Sequence, residues 1–174
     1  KMPSEYYSFM KKNWVFVFLN TNEIAAYSNV VGTAKEQELL RIQNQIKVNK
    51  EIQGARWNGG VSSRQLQWLD NLLKKSEKKN RNVLIFCHHP LYPRSQFTAL
   101  NNMEILDVIN RYNCVKAIFS GHHHSGAFGY FDHIPCNTVE GMIETPDKNS
   151  FGIVRIYKDR IELEGKERMT SRLF

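Results

Sequence analysis

Two short apolar segments, each followed at once by histidines, constrain the fold of this chain more than any other feature. Residues 83–87 run into the first histidine cluster and residues 116–120 into the second. Runs of this length that are rich in β-branched and aromatic residues are typical of buried strands. Because α/β proteins gather their chemistry at strand ends, we expect five of the six histidines to meet at one site.

Three of these histidines, His88, His122 and His124, are predicted metal ligands. Neutral imidazole is the commonest side-chain metal ligand near physiological pH, and two histidines spaced one residue apart after a glycine can both face one site. A lone histidine at a strand end is more often a core or turn residue. Two clusters at two strand ends favour ligation, and the internal position of the triplet excludes an expression tag.

The rest of the pattern alternates strands with helices and predicts an α/β fold for a single domain, residues 1–174. The predicted strands are 6–9, 14–19, 82–87, 116–120, 127–131, 136–139, 150–157 and 161–165, and the predicted helices are 33–51, a helix from 62 onward, and 103–112. The first two strands form a hairpin, and the tail is predicted to be antiparallel sheet.

Three local signals refine this outline. The turn at Asn58-Gly59-Gly60 favours positive φ and leaves backbone N–H groups free. Ser62 and Gln65 have the spacing of a capping box at a helix start. Gly121 lacks a side chain, which predicts a sharp backbone turn that points the histidines after it inward.

Composition narrows the function classes. The chain is 41% hydrophobic, enough for a real core, and no segment approaches the roughly 20 apolar residues that span a bilayer, so we expect a soluble protein. The cysteines Cys87, Cys114 and Cys136 are odd in number and lie in apolar stretches, which predicts buried free thiols and suits a reducing compartment such as the cytoplasm. The net charge is +7, and five of the basic residues crowd segment 74–81. This segment is at a helix end without interleaved aromatics, so nucleic-acid binding is not expected.

The order of the histidine motifs resembles that of the calcineurin-like metallophosphoesterases. Cys87-His88-His89-Pro90 follows a strand, and Gly121-His122-His123-His124 matches the Gly-His-x-His motif of that family. Within it, the chain is most similar to the manganese-dependent ADP-ribose/CDP-alcohol diphosphatases and their bacterial relatives, through segments 58–69 and 139–145. The likeness extends from about Tyr6 to the C-terminus.

This resemblance implies the C-terminal part of a four-layer α/β/β/α sandwich with two divalent metal ions, which are Mn, Fe, Zn or Ni. It implies that His88 and His122 bind one ion and that His124 binds the other. Such a pair polarises a phosphoryl oxygen and activates water for attack on phosphorus. The implied activity is hydrolysis of phosphoester or pyrophosphate bonds in a small phosphorylated, nucleotide-like substrate.

The carboxylate motifs of that family are absent from this sequence, in which the first aspartate is Asp70, on a predicted helix. The chain is therefore expected to carry part of the site, to have no catalytic residue of its own and to be inactive alone. A missing N-terminal portion or a partner chain is expected to supply the rest, and a start at Lys1 favours a fragment over a half-domain that has lost catalysis.

Four further residues, His89, His123, Asn58 and Gly59, are predicted to bind substrate. The alternative for the two histidines is packing or support of a ligand, and for the Asn-Gly pair it is a tight turn before a helix. Two glutamates, Glu140 and Glu144, either orient ligand histidines or contact a nucleoside.

A second function from another class is a non-catalytic metal-binding or interaction module. In that hypothesis the three predicted ligands and Cys87 close a tetrahedral structural site. Losing the metal would then unfold the region.

Overall fold

The computed structural model describes residues 5–174, so residues 1–4 of the predicted domain lie outside the described part. The strands in this part are β1 (Tyr7–Lys11), β2 (Trp14–Phe18), β3 (Ile24–Ala25), β4 (Gly59–Gly60), β5 (Asn82–Phe86), β6 (Val115–Ser120), β7 (Ala127–Phe131), β8 (Ile134–Thr138), β9 (Ser150–Ile156), β10 (Ile161–Glu167) and β11 (Arg172–Leu173). A six-stranded sheet has the order β1-β2-β5-β6-β8-β7, a three-stranded sheet has the order β11-β10-β9, and β3 pairs with β4.

The helices are α1 (Ala34–Val48), α2 (Ser63–Lys78) and α3 (Asn102–Ile109), with a single 3-10 turn at Met142–Glu144. Thr33 caps α1 by accepting the N–H of Glu36, which satisfies one of the free donors of the first turn. The predicted apolar face of this helix, Leu39, Ile42 and Ile46, is buried. No helix among residues 5–174 is both long and apolar enough to cross a membrane.

The parallel core of the main sheet aligns the ends of several strands. The strands β2, β5, β6 and β8 pair in parallel, while the edge strands β1 and β7 are antiparallel to their neighbours. The connection from β2 to β5 contains β3, α1, β4 and α2, and α3 joins β5 to β6, so helices link the parallel strands as in βαβ units. The segments that follow these parallel strands therefore meet at one edge of the sheet.

Alternation along each strand separates two cores. In β2, Val15 and Val17 face the buried cluster that contains Leu69 and Leu73 of α2, whereas Phe16 packs on the other side with the three-stranded sheet. This gives a helical layer, the main sheet and the smaller antiparallel sheet, which confirms the predicted α/β class. The outer face of the smaller sheet carries exposed Phe151 and Ile153, so the second helical layer of the four-layer expectation is not present in residues 5–174.

Two local predictions need correction. Gly59 and Gly60 do not have positive φ; positive values among glycines occur at Gly32 and Gly126. The glycines form β4 instead, and a Cβ on Gly59 would lie 2.3 Å from the Thr21 carbonyl oxygen, so the close approach of another chain segment requires the missing side chain.

The predicted capping box is half formed. The Ser62 hydroxyl accepts the N–H of Gln65 at 3.1 Å, as expected. The Gln65 side chain does not return the bond; it donates to Glu23 at 2.6 Å. The buried Glu23 carboxylate accepts the Ser62 N–H in its place, at 3.1 Å, which joins the start of α2 to the segment after β2.

Candidate metal centre

Three histidines converge where β5 and β6 end. The Nε2 atom of His88 lies 3.1 Å from the Nδ1 atom of His122, and the candidate ligand atoms of His88, His89 and His122 all lie within 4.8 Å of one another. The parallel pairing of β5 with β6 places these residues side by side although 34 positions separate the first from the last. The structure thus brings together two of the three predicted metal ligands.

The turn that aims His122 at this cluster is made by the histidine itself. His122 has φ of 63°, whereas Gly121 is not among the residues with positive φ. We predicted that the sharp backbone turn lies at Gly121. The left-handed conformation occurs one residue later, at His122. A non-glycine residue in this conformation is costly and is typical of functional sites.

His89 is wholly buried beside this pair, and protein groups occupy both of its ring nitrogens. Its Nδ1 and its backbone N–H both lie 3.0 Å from the Thr21 hydroxyl. Its Nε2 accepts the N–H of Gly59 at 3.1 Å. The side chain therefore joins the ends of β2, β4 and β5, and its predicted contact with substrate stays a prediction, as does that of Gly59.

Asn58 holds the other side of His122. Its Oδ1 lies 3.0 Å from Nε2 of His122, and its amide NH2 group donates to the carbonyls of Gln53 at 2.8 Å and Gln96 at 2.7 Å. Asn58 is 1% exposed. The sequence indicated a role for Asn58 at the site but not this contact, because its partners are far away along the chain.

His124 lies outside the three-histidine cluster and is held by a different segment. Its Nδ1 is 2.6 Å from a carboxylate oxygen of Glu144, with both side chains about half exposed. The N–H of Gly141 donates to the His124 carbonyl at 2.8 Å, and a Cβ on Gly141 would lie 2.7 Å from Cγ of the imidazole. Glu144 thus contacts a histidine, in line with one of its two predicted roles, while the role of His124 as a metal ligand stays a prediction.

His123 points to another neighbour. Its ring stacks on Phe97 with a centroid separation of 4.5 Å and an interplanar angle of 18°. The His122 and Phe97 rings are 6.0 Å apart and steeply inclined, at 76°. Sequence reasoning missed Phe97, since a single aromatic residue in a loop gives no periodic signal. The stack forms an aromatic wall beside the cluster.

Burial and mutual repulsion keep the clustered imidazoles neutral. Burial, and then the nearby positive charges of His88, His124 and His123, lower the pKa of His122 to about 4. Burial also lowers the pKa of His88, with a further contribution from His124, and lowers the pKa of His89 to about 3. At neutral pH these rings are uncharged, which is the state that binds a metal.

The donor set fits a divalent metal ion. Two neutral nitrogens 3.1 Å apart match neighbouring ligands around one ion, because bonds of about 2.1 Å meeting near a right angle put their donors about 3 Å apart. Among residues 5–174 no carboxylate belongs to the three-histidine cluster. Asp70 lies instead on α2, where it accepts the Tyr112 hydroxyl at 2.9 Å.

The Cys87 thiol, which the structural-site hypothesis requires as a metal ligand, contacts other groups. Cys87 packs against the helix-side core, and its Sγ contacts the His89 carbonyl at 3.2 Å. Burial raises the pKa of this thiol far above its usual range, which opposes the thiolate that a zinc site needs. Nothing in this arrangement favours a tetrahedral His/Cys site.

Comparison with known proteins gives consistent matches. The family model described as Calcineurin-like phosphoesterase matches residues 3–126. The manganese-dependent ADP-ribose/CDP-alcohol diphosphatase of Bos taurus is 33% identical over 172 residues, covering 91% of this chain and 51% of that protein. The protein of the same name from Homo sapiens is 31% identical over 194 residues, covering 99% and 56%.

A solved structure titled as a dimetal phosphatase from Danio rerio has the same fold. It matches with a TM-score of 0.87 and 28% identity, covering 97% of this chain and 59% of that one. The chain spans about half the length of the curated relatives it matches, 51% and 56% for the two named above.

Proposed function

Because the chain belongs to the calcineurin-like phosphoesterase family, we propose that it carries part of the metal centre of a divalent-metal-dependent hydrolase of phosphoester or pyrophosphate bonds. The observation that carries the proposal is the convergence of His88 Nε2 and His122 Nδ1 at 3.1 Å. Burial favours the neutral form of both rings, and a neutral ring has one nitrogen lone pair that can bind an ion in place of the hydrogen bond between the two rings.

The proposed ligands are His88 and His122 for one ion and His124 for the other. The family uses two divalent metal ions, and the relatives named above are manganese-dependent by name. When bound, such ions supply Lewis-acid activation of the phosphoryl group and of the attacking water. The carboxylate donors of a binuclear centre are not in this three-histidine cluster, so residues 1–174 are proposed to form one domain that holds part of the ligand set.

The proposed substrates are small phosphorylated molecules of the nucleotide diphosphate type. The names of the relatives, ADP-ribose/CDP-alcohol diphosphatases, support this class. The Phe97 and His123 stack at 4.5 Å supports it independently, since a planar ring beside a metal centre suits an aromatic base or ring. In this proposal His123 contacts the organic part of the substrate.

The test measures bound manganese and hydrolysis of ADP-ribose and CDP-choline in the full protein that contains these residues. We expect His88→Ala and His122→Ala each to release metal and to reduce turnover by orders of magnitude. His133→Ala is the control, because His133 is a histidine outside the cluster: it lies on the turn between β7 and β8 and pairs with Asp132 at 3.0 Å. Normal metal retention and turnover in both cluster variants would refute the proposal.

A further inference from the structure

The hydrogen bonds of Asn58 fix which way its amide faces. Both of its N–H bonds are used, towards the carbonyl oxygens of Gln53 at 2.8 Å and Gln96 at 2.7 Å. Turning the amide over would set its oxygen against two carbonyl oxygens, and its nitrogen would lose two acceptors, which a side chain 1% exposed cannot recover from water. The oxygen of Asn58 must therefore face His122.

This orientation decides the tautomer of His122. The amide oxygen accepts only, so the Nε2 atom that lies 3.0 Å away must carry the proton. In a neutral imidazole the other nitrogen then has the free lone pair. That nitrogen, Nδ1, is the one that faces Nε2 of His88 at 3.1 Å.

We propose that Asn58 is a positioning residue that holds His122 in its Nε2–H tautomer, so that Nδ1 is presented to a metal ion shared with His88. The inference rests on the proposed function for the identity of the ligand. In this proposal Asn58 does not bind the ion; it fixes both the tautomer and the orientation of the His122 ring. Mutating a hydrogen-bond partner of a ligand histidine commonly lowers metal affinity by roughly 10- to 100-fold.

The residues that fix the tautomer of His122 come from distant parts of the chain. Gln53 follows α1, Gln96 lies in the loop between β5 and α3, and His122 follows β6. One buried amide thus joins three segments whose separations from Asn58 are 5, 38 and 64 residues. The tautomer of His122 therefore depends on Gln53 and Gln96, two residues that are not themselves proposed metal ligands.

The first arm of the test is the tautomer in the metal-free wild-type protein. Long-range proton–nitrogen NMR on protein with labelled histidine distinguishes protonated from unprotonated ring nitrogens at neutral pH. We expect His122, assigned by its loss in His122→Ala, to be protonated on Nε2. Protonation on Nδ1 would overturn the inference without any Asn58 variant having to fold.

The second arm compares Asn58→Ala with Asn102→Ala. Asn102 is also 1% exposed and donates from its amide to the Leu91 carbonyl at 3.0 Å. Its Oδ1 accepts from the Gln53 side chain at 3.4 Å, but within residues 5–174 its hydrogen bonds do not involve a histidine. We expect Asn58→Ala to show a mixture of His122 tautomers and Mn²⁺ affinity reduced about 10- to 100-fold, while Asn102→Ala keeps both. An unchanged tautomer and affinity in Asn58→Ala, or an equal loss of affinity in Asn102→Ala, would overturn the inference.

These results separate the inference from the proposed function. If wild-type protein has the Nε2–H tautomer but His88→Ala and His122→Ala bind Mn²⁺ normally, the proposed function fails and the tautomer assignment stands. If those variants lose Mn²⁺ but the tautomer is the opposite one, the inference about Asn58 fails alone.

Discussion

Replacing Gly141 with alanine is expected to damage the metal centre through a single methyl group. Gly141 has φ of −74° and ψ of 137°, a conformation that alanine adopts without strain. The new Cβ would lie 2.7 Å from Cγ and 2.8 Å from Cβ of His124. Since carbon atoms pack at about 3.5 Å, the imidazole must move by about 0.8 Å.

That displacement acts on a residue held at its ring and at its backbone. Glu144 lies 2.6 Å from Nδ1 of the ring, and the Gly141 N–H donates to the His124 carbonyl at 2.8 Å, so moving the ring away from the new methyl group disturbs its contact with Glu144. Misplacement of a catalytic group by about 1 Å costs on the order of 100-fold in rate, and a misplaced ligand partner costs about 10- to 100-fold in metal affinity. We expect Gly141→Ala to weaken Mn²⁺ binding within that range.

Manganese titration of the metal-free protein, followed by electron paramagnetic resonance, measures this effect. Gly121→Ala is the control, because Gly121 directly precedes the histidine cluster but its Cβ would meet only the His88 carbonyl oxygen, at an ordinary 3.8 Å. We expect this control to bind Mn²⁺ like the wild type. If Gly141→Ala binds normally, or if Gly121→Ala is the weaker of the two, the steric argument is refuted.

Two further predictions concern the core. Leu73→Ala removes a side chain that is 0% exposed and should lower the free energy of unfolding, measured by urea titration, by about 2–5 kcal/mol. Leu40→Ala, at a position 57% exposed on α1, should change the free energy of unfolding by less than about 0.5 kcal/mol. Equal losses in the two variants would contradict this prediction. Burial raises the pKa of Cys114 and Cys136 to about 12, so both thiols stay protonated at pH 8. We expect both to resist iodoacetamide until urea unfolds the chain, with labelling measured by intact mass. Rapid labelling of these two thiols in the native protein would refute this prediction.

The fold followed from periodicity where the pattern was long enough. The predicted strand at 127–131 and the three buried positions of α1 agree with the structure, since burial of one face repeats along the chain. The short pair β3 and β4 has two residues in each strand, too few for any period. Gly59 was therefore interpreted as a turn residue, although what it provides is room for the Thr21 carbonyl.

The sequence predicted that His88 and His122 lie close together, but it did not predict the other contacts of these rings, and their role as metal ligands stays a prediction. Strand ends followed by histidines located His88 and His122, because parallel strands align their carboxyl ends. Asn58, which fixes the His122 ring, lies 64 residues from it along the chain. A single sequence carries no signal for such a pairing. The left-handed backbone of His122 was likewise hidden, since glycine is the usual residue for that conformation.

Because Asn58 and His122 lie 64 residues apart, we expect the candidate metal centre to form late in folding. Its elements come from three separated segments, and closing loops of 34 and 64 residues costs chain entropy that local contacts do not recover. A partly folded chain with intact helices would therefore have the histidines but not their arrangement. Tight metal binding would mark the completed fold, and because the ion binds only that state, it would stabilise the whole domain by mass action.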